Sequence, residues 1–117
     1  MNQRNHLGEF EEIVLLTVGI LYDDAYGLAI TDEIEQRTNR KVTISSVHKT
    51  LMRLEQKGYL HSHMGGATEE RGGRKKRLFT ITNSGKEALR EARQMRNALW
   101  QAIPRIVWGS EFSGSID

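Results

Sequence analysis

Residues 9–21 carry Phe10, Ile13, Val14, Leu16, Thr17 and Leu21 at three- and four-residue spacing, a pattern that predicts one face of an amphipathic helix. Glu9, Glu11 and Glu12 crowd its first turn, where carboxylates suit the helix dipole. Asp23-Asp24 marks a turn. A shorter periodic stretch, from about Tyr26 to Arg37, presents Leu28, Ala29, Ile30 and Ile34, and Thr38-Asn39-Arg40 breaks it. Lys41-Val42-Thr43 is brief and β-prone and predicts a short strand. Ile44, Val47, Leu51 and Leu54 then place a third helix over about Ile44 to Lys57. Thr43 can accept a free backbone N–H at its start, and Gly58 suits the left-handed geometry at its end.

Tyr59 to Met64 alternates imperfectly and predicts a strand, and Arg77 to Ile81 predicts its return. The stretch between them, GGATEERGGRKK (65–76), has no apolar periodicity and forms a glycine-rich tip. Thr82, or Ser84 with Glu87 as a capping box, starts a last helix that Pro104 ends or kinks. The order is helix, helix, short strand, helix, hairpin, helix. The expected fold is therefore mainly α with a small β wing, a winged helix-turn-helix with a C-terminal dimerisation helix. The expected organisation is one structural domain: a winged helix-turn-helix region over 1–81, the dimerisation helix over 82–108, and a polar, disordered tail over 109–117.

Composition narrows the functional classes. A chain of 117 residues fits a single domain with a modest core. Without cysteine it has no disulfide, thiolate metal site or thiol nucleophile, which fits a cytoplasmic protein. No stretch approaches the ~20 apolar residues of a membrane span, and the N-terminus lacks the apolar core of a signal peptide. The net charge is only +2, but residues 1–35 carry −7 and residues 36–105 carry +11. Such polarity suggests one face turned toward a polyanion and another turned away.

Taking Val47 as the centre of the buried side of the third helix, rotation by 100° per residue puts Ser45, Lys49, Met52, Arg53 and Gln56 opposite, with Ser46 beside them. Small hydroxyls near a helix N-terminus allow close approach in a major groove, and Lys49 and Arg53 can bond guanine acceptors or phosphates. The plainer alternative is an ordinary solvated polar face. In the loop, Arg71, Arg74, Lys75, Lys76 and Arg77 place five cations within seven residues. Arginine at such a tip suits a narrow minor groove and lysine suits phosphates; the alternative is a solvated basic loop. The loop lacks the spacing of a phosphate-binding P-loop. His61 and His63 alternate on a strand and could share a metal, but no third ligand is near in sequence, so surface histidines and no metal are expected. No nucleophile–base–orienter set emerges, so neither enzymatic activity nor a cofactor is expected.

In the last helix Ala88, Ala92, Met95, Leu99, Ala102 and Ile106 recur at heptad-like spacing, flanked by Arg96, Trp100, Ile103 and Val107. Ala88, Ala92, Met95, Leu99, Trp100, Ile103 and Ile106 are thus candidates for a homodimer interface, against the alternative of packing within one subunit. A two-fold dimer would set two recognition helices about 34 Å apart, the spacing of successive major grooves. Trp100 on this stripe is a candidate for stacking on a small hydrophobic or aromatic effector.

Four blocks in order, LGEFEEIVLLTVGIL (7–21), DDAYGLAITDEIEQRT (23–38), TISSVHKTLMRLEQKGYL (43–60) and ERGGRKKRLFTITNSGKEAL (70–89), resemble the PadR family of winged-helix regulators, over about residues 7–90. The resemblance implies a homodimeric repressor of double-stranded DNA operators, in some members relieved by small aromatic or lipophilic effectors at the dimer interface. It also implies a compact member with a short C-terminal region. Tyr26 of the YG pair matches the family's second-helix start, where a tyrosine hydroxyl could meet a phosphate. His48 stands where many relatives have a tyrosine linked to DNA contact, so the resemblance carries that role to an imidazole, which would make the contact pH-sensitive. Two other readings remain: a winged-helix protein-interaction module without DNA binding, and a different winged-helix regulator family such as the MarR-like proteins.

Overall fold

A computed structural model describes residues 6–65 and 75–109. The elements are α1 (Glu9–Leu21), a 3-10 turn (Tyr22–Asp24), α2 (Gly27–Thr38), α3 (Ile44–Gln56), β1 (Leu60–Gly65), β2 (Lys76–Ile81), α4 (Asn83–Ala102) and the four-residue α5 (Arg105–Trp108). The expected Arg71 and Arg74, and the tail from residue 110, lie outside the described residues.

α1 is the central element, packed against α2, α3, β2 and α4. Its buried arc is Glu11, Val14, Leu15, Thr17 and Val18, rotated about the helix axis from the predicted stripe. Leu16, expected in the core, is 47% exposed. The buried Thr17 hydroxyl donates to the Ile13 carbonyl at 2.7 Å, so it costs no unpaired polar group. On α2 the buried residues are Ile30, Thr31 and Ile34, while the expected Leu28 points outward. α2 ends at Asn39 in the left-handed region (φ 58°), a conformation asparagine tolerates.

Thr43 caps α3 as predicted, its Oγ1 accepting the Ser46 N–H at 3.0 Å. Val47, Thr50, Leu51 and Leu54 are buried. Ile44 lies on the side of Leu51 but at the first helical position and is 52% exposed; the core takes Thr50 in its place. Gly58 adopts φ 82°, the conformation that favours glycine past a helix end.

The strand expected at Lys41–Thr43 does not form. Val42 instead donates its N–H to the Glu35 carboxylate at 3.2 Å. The sheet is the β1–β2 hairpin alone, in antiparallel register from Leu60↔Ile81 to Gly65↔Lys76. Its outer edge is met by a single residue between α1 and α2: Phe79 donates its N–H to the Ala25 carbonyl at 2.9 Å. One bridging residue thus takes the place of a third strand.

Thr82 caps α4 and also fastens it. Its Oγ1 accepts the Gly85 N–H (3.0 Å) and donates to the Gly58 carbonyl (2.6 Å), and its N–H donates to the Tyr59 carbonyl (3.0 Å). The alternative Ser84–Glu87 box is not used, and Glu87 lies near Arg90. Gly85 is buried with its Cα against the Tyr59 carbonyl and the Ile81 side chain, leaving no room for a Cβ. Ala88 lies fully buried in the chain's own core with Tyr59, Leu60 and Phe79. It therefore has no surface to offer a second copy, contrary to the expectation from heptad spacing. Further along, Met95, Leu99 and Trp100 are exposed.

The acidic first turn of α1 is paired with cations from later in the chain. Glu9 meets Arg40 (3.1 Å), Glu12 meets Arg96, and Glu11 accepts Lys57 Nζ on both oxygens at 2.8 and 3.0 Å. Burial pushes the Glu11 carboxyl up, but the Lys57 ammonium, the Gly8 N–H and the more distant Arg53 together hold it below its ordinary value.

Two outcomes follow for stability. Gly85→Ala is expected to lower unfolding free energy by about 1–3 kcal/mol, the usual cost of overpacking, measurable by urea unfolding followed by circular dichroism. For Glu11 the folded pKa is depressed, so its stabilisation is complete above the ordinary carboxylate value of 4.5 and is lost as pH falls through the lower folded value. Glu11→Gln should therefore cost about 2 kcal/mol at neutral pH, and the gap between variant and parent should narrow as pH falls from the ordinary carboxylate value through the lower folded one.

Candidate nucleic-acid interface

α3 turns Val47, Leu51 and Leu54 inward, so the opposite side faces solvent. Ser45, His48, Lys49, Arg53 and Gln56 are exposed there, and Ser46 and Met52 are half-buried. The Ser46 hydroxyl donates to the Thr43 carbonyl at 3.0 Å, so it helps hold the helix start while keeping its acceptor capacity. Ser45 Oγ lies 3.4 Å from Thr43 Oγ1. Arg53 NH1 lies 3.9 Å from the Glu11 carboxylate, and its side chain is 57% exposed, leaving most of the guanidinium open to solvent. Glu55, the one acid of α3, accepts the Ser62 hydroxyl of β1 at 2.8 Å. The outward side of the helix is thus hydroxyl, imidazole and cation, with its carboxylate tied to the hairpin.

On the returning strand, alternate residues point to opposite faces. Lys75 is exposed just ahead of it. Lys76 is half-buried, with its ammonium nitrogen 3.2 Å from the centroid of the Tyr26 ring. Arg77 is exposed and donates from Nε to Ser62 Oγ at 3.2 Å. Tyr26 is the N-cap residue of α2, but its side chain makes no capping hydrogen bond. The structure therefore brings together Tyr26 and Lys76, fifty positions apart, which sequence reasoning treated as separate contacts.

The sequence reading also passed over the residues just before α3. Arg40, Lys41, Thr43 and Ser46 line a cleft of about 310 Å³ that includes Phe10, over whose ring Arg40 sits at 5.5 Å. The signal was the clustering of Arg37, Arg40 and Lys41 immediately ahead of a helix start, where backbone N–H groups favour anions.

The second candidate surface lies on α4. Met95, Leu99, Trp100 and Ile106 are exposed, while Ala92 and Ile103 are half-buried. A groove of about 430 Å³ runs between α1 and α4, lined by Glu12, Leu16, Leu89, Arg93, Arg96 and Trp100 among others. Past Pro104 the chain brings Trp108 back onto Trp100, ring centroids 5.4 Å apart and planes within 5°. His61 and His63 stack on the hairpin at 6.3 Å. Among the described residues no group of three or more metal-ligating side chains occurs, and no helix is long and apolar enough to cross a membrane.

Comparison with known proteins bears on the same segments. Residues 15–91, from α1 into α4, match the family described as "Transcriptional regulator PadR-like family". "Uncharacterized protein X" of Lysinibacillus sphaericus is 33% identical over 86 residues, covering 72% of this chain and 74% of that protein. A PadR family transcription regulator from Clostridium difficile superposes with a TM-score of 0.64 at 26% identity, covering 81% of this chain and 97% of that one. A PadR family transcriptional regulator from Eggerthella lenta shares the fold, with a TM-score of 0.63 at 21% identity over 85% of this chain and 86% of that one. The matched family is one of regulators, not enzymes, and the match takes in α2, α3 and both strands of the wing. The chain belongs to the PadR-like family of transcriptional regulators.

Proposed function

We propose that the protein binds double-stranded operator DNA as a homodimer and represses transcription. The observation that carries this reading is the outward face of α3, where Ser45, His48, Lys49 and Arg53 stand exposed while Glu55 is bound to Ser62. A helix with small hydroxyls at its N-terminal end and cations further along fits a major groove. Lys49 and Arg53 reach guanine acceptors or phosphates, and Ser45, Ser46 and His48 bond the backbone or a base edge. Lys75 and Arg77 take phosphates from the wing, and Arg71 and Arg74 bind in the minor groove. Tyr26 and Lys76 meet each other. Residues 1–81 form the DNA-binding region in this reading.

Residues 82–108 join two copies. Leu99, Met95, Trp100 and Ile106 are apolar side chains left uncovered on one protomer, with Ala92 and Ile103 at their edge, and burying them against a second copy removes that area from water. The groove beside Trp100 is where a small hydrophobic or aromatic effector would bind and alter the spacing of the recognition helices. Action on the chromosome implies a cytoplasmic location.

Fluorescence anisotropy with the DNA upstream of the protein's own gene, against a scrambled duplex and across a salt series, tests the reading. Preferred binding to the upstream duplex, with a log–log salt slope of about −0.9 per phosphate neutralised, is the expected result. Lys49→Ala should cost the preferred duplex about 1–3 kcal/mol and leave the scrambled one little changed, whereas Arg74→Glu with Lys75→Glu should weaken both. Absence of binding to either duplex at low salt would turn the search to a protein partner. Light scattering should give the mass of two chains for the parent and of one chain for Leu99→Glu.

A further inference from the structure

β2 touches both helices of the helix-turn-helix through two neighbouring residues on opposite faces. Arg77 reaches toward α3: its Nε donates to Ser62 Oγ, which in turn donates to Glu55 of α3. Lys76 reaches toward α2, setting its ammonium 3.2 Å from the centre of the Tyr26 ring. Three residues further on, the Phe79 N–H meets the Ala25 carbonyl next to Tyr26 at 2.9 Å.

The Lys76 contact differs from that of a lysine waiting for phosphate. Its neighbour Lys75 is exposed, whereas Lys76 and Tyr26 are both half-buried. Fixing a lysine side chain loses rotamer freedom, so a lysine laid on an aromatic face is held there by the attraction of the ring quadrupole for the charge. The attraction belongs to the ring, not to the hydroxyl. We infer that Tyr26 and Lys76 form a positioning pair, an ammonium-on-ring contact that sets the angle of the wing against α2 and so aims Lys75 and Arg77. This rests on the DNA-binding reading above. Tyr26 then serves DNA binding through its ring, and Lys76 serves it without touching a phosphate.

The test uses the full chain and a duplex selected from a random-sequence pool by the wild-type protein, titrated across a salt series. Tyr26→Phe keeps the ring and Lys76→Arg keeps the charge, so both should bind as the wild type does. Tyr26→Leu and Lys76→Met should each weaken binding by about two- to fivefold, the lower part of the range for an ammonium-on-ring contact. The double variant should lose no more than either single one, and the salt slope should stay at the wild-type value. A slope shallower by about 0.9 in Lys76→Met would make Lys76 a direct phosphate contact and overturn the inference. A loss in Tyr26→Phe equal to that in Tyr26→Leu would do the same, by assigning the work to the hydroxyl. The contact itself is read without DNA, by NMR. The Lys76 ε-methylene protons should be shifted upfield by the Tyr26 ring and return to their ordinary position in Tyr26→Leu; absence of that shift in the wild type overturns the pair. Failure of the wild type to select any duplex would overturn the DNA-binding reading and the aiming role with it, while the NMR result still decides the contact.

Discussion

A carboxylate nearly withdrawn from water organises the half of the molecule that carries α3. Glu11 is 7% exposed, and a charge in that position is costly unless it is met by an opposite charge and by hydrogen bonds. The Gly8 N–H meets it from just before α1, and Lys57 meets it from the exit of α3 while also donating to the His6 carbonyl. The same turn of α1 sends Glu9 to Arg40 ahead of α3 and Glu12 to Arg96 on α4. The three glutamates of one turn therefore tie both ends of α3 and the long last helix to α1. The separation of charge along the chain is in part an internal pairing scheme: some acids early in sequence neutralise cations that come later, and the outward side of α3 keeps cations facing solvent.

Helix limits were legible because they depend on local chemistry. Thr43, Gly58 and Thr82 each satisfy or permit a specific backbone geometry: α3 begins after Thr43 and ends ahead of Gly58, and α4 begins after Thr82. Which side of each helix is covered was less legible. Leu16, Leu28 and Ile44 fit a helical period but lie outside the core, because periodicity identifies an apolar side without saying what covers it. Ala88 shows the converse, a residue on a heptad seam that is consumed by its own subunit. The expected strand at Lys41–Thr43 failed for a related reason. The backbone there is engaged by Glu35, and the wing's free edge is met at Ala25, a lone residue that no sequence pattern could mark.

The candidate interface divided along the same line. The exposure of Ser45, Lys49, Arg53 and Gln56 follows from 100° rotation about a helix whose buried side is plain. The Lys76–Tyr26 contact does not, since it joins distant positions and exists only once the hairpin has folded against α2. Nor does the engagement of Ser46 in the cap, because a serine near a helix start reads equally well as a ligand-facing hydroxyl.

The absent side chain at Gly85 has a mechanical consequence. There α4 rests directly on the backbone of Tyr59, at the point where α3 has just handed over to the wing. A helix of 20 residues extends about 30 Å, so a tilt of about 5° at that end sweeps the other through about 2.5 Å. With no side chain to cushion the joint, the direction in which α4 presents Leu99 and Trp100 is set at Gly85 by the backbone of Tyr59, and secured further along by the Glu12–Arg96 pair.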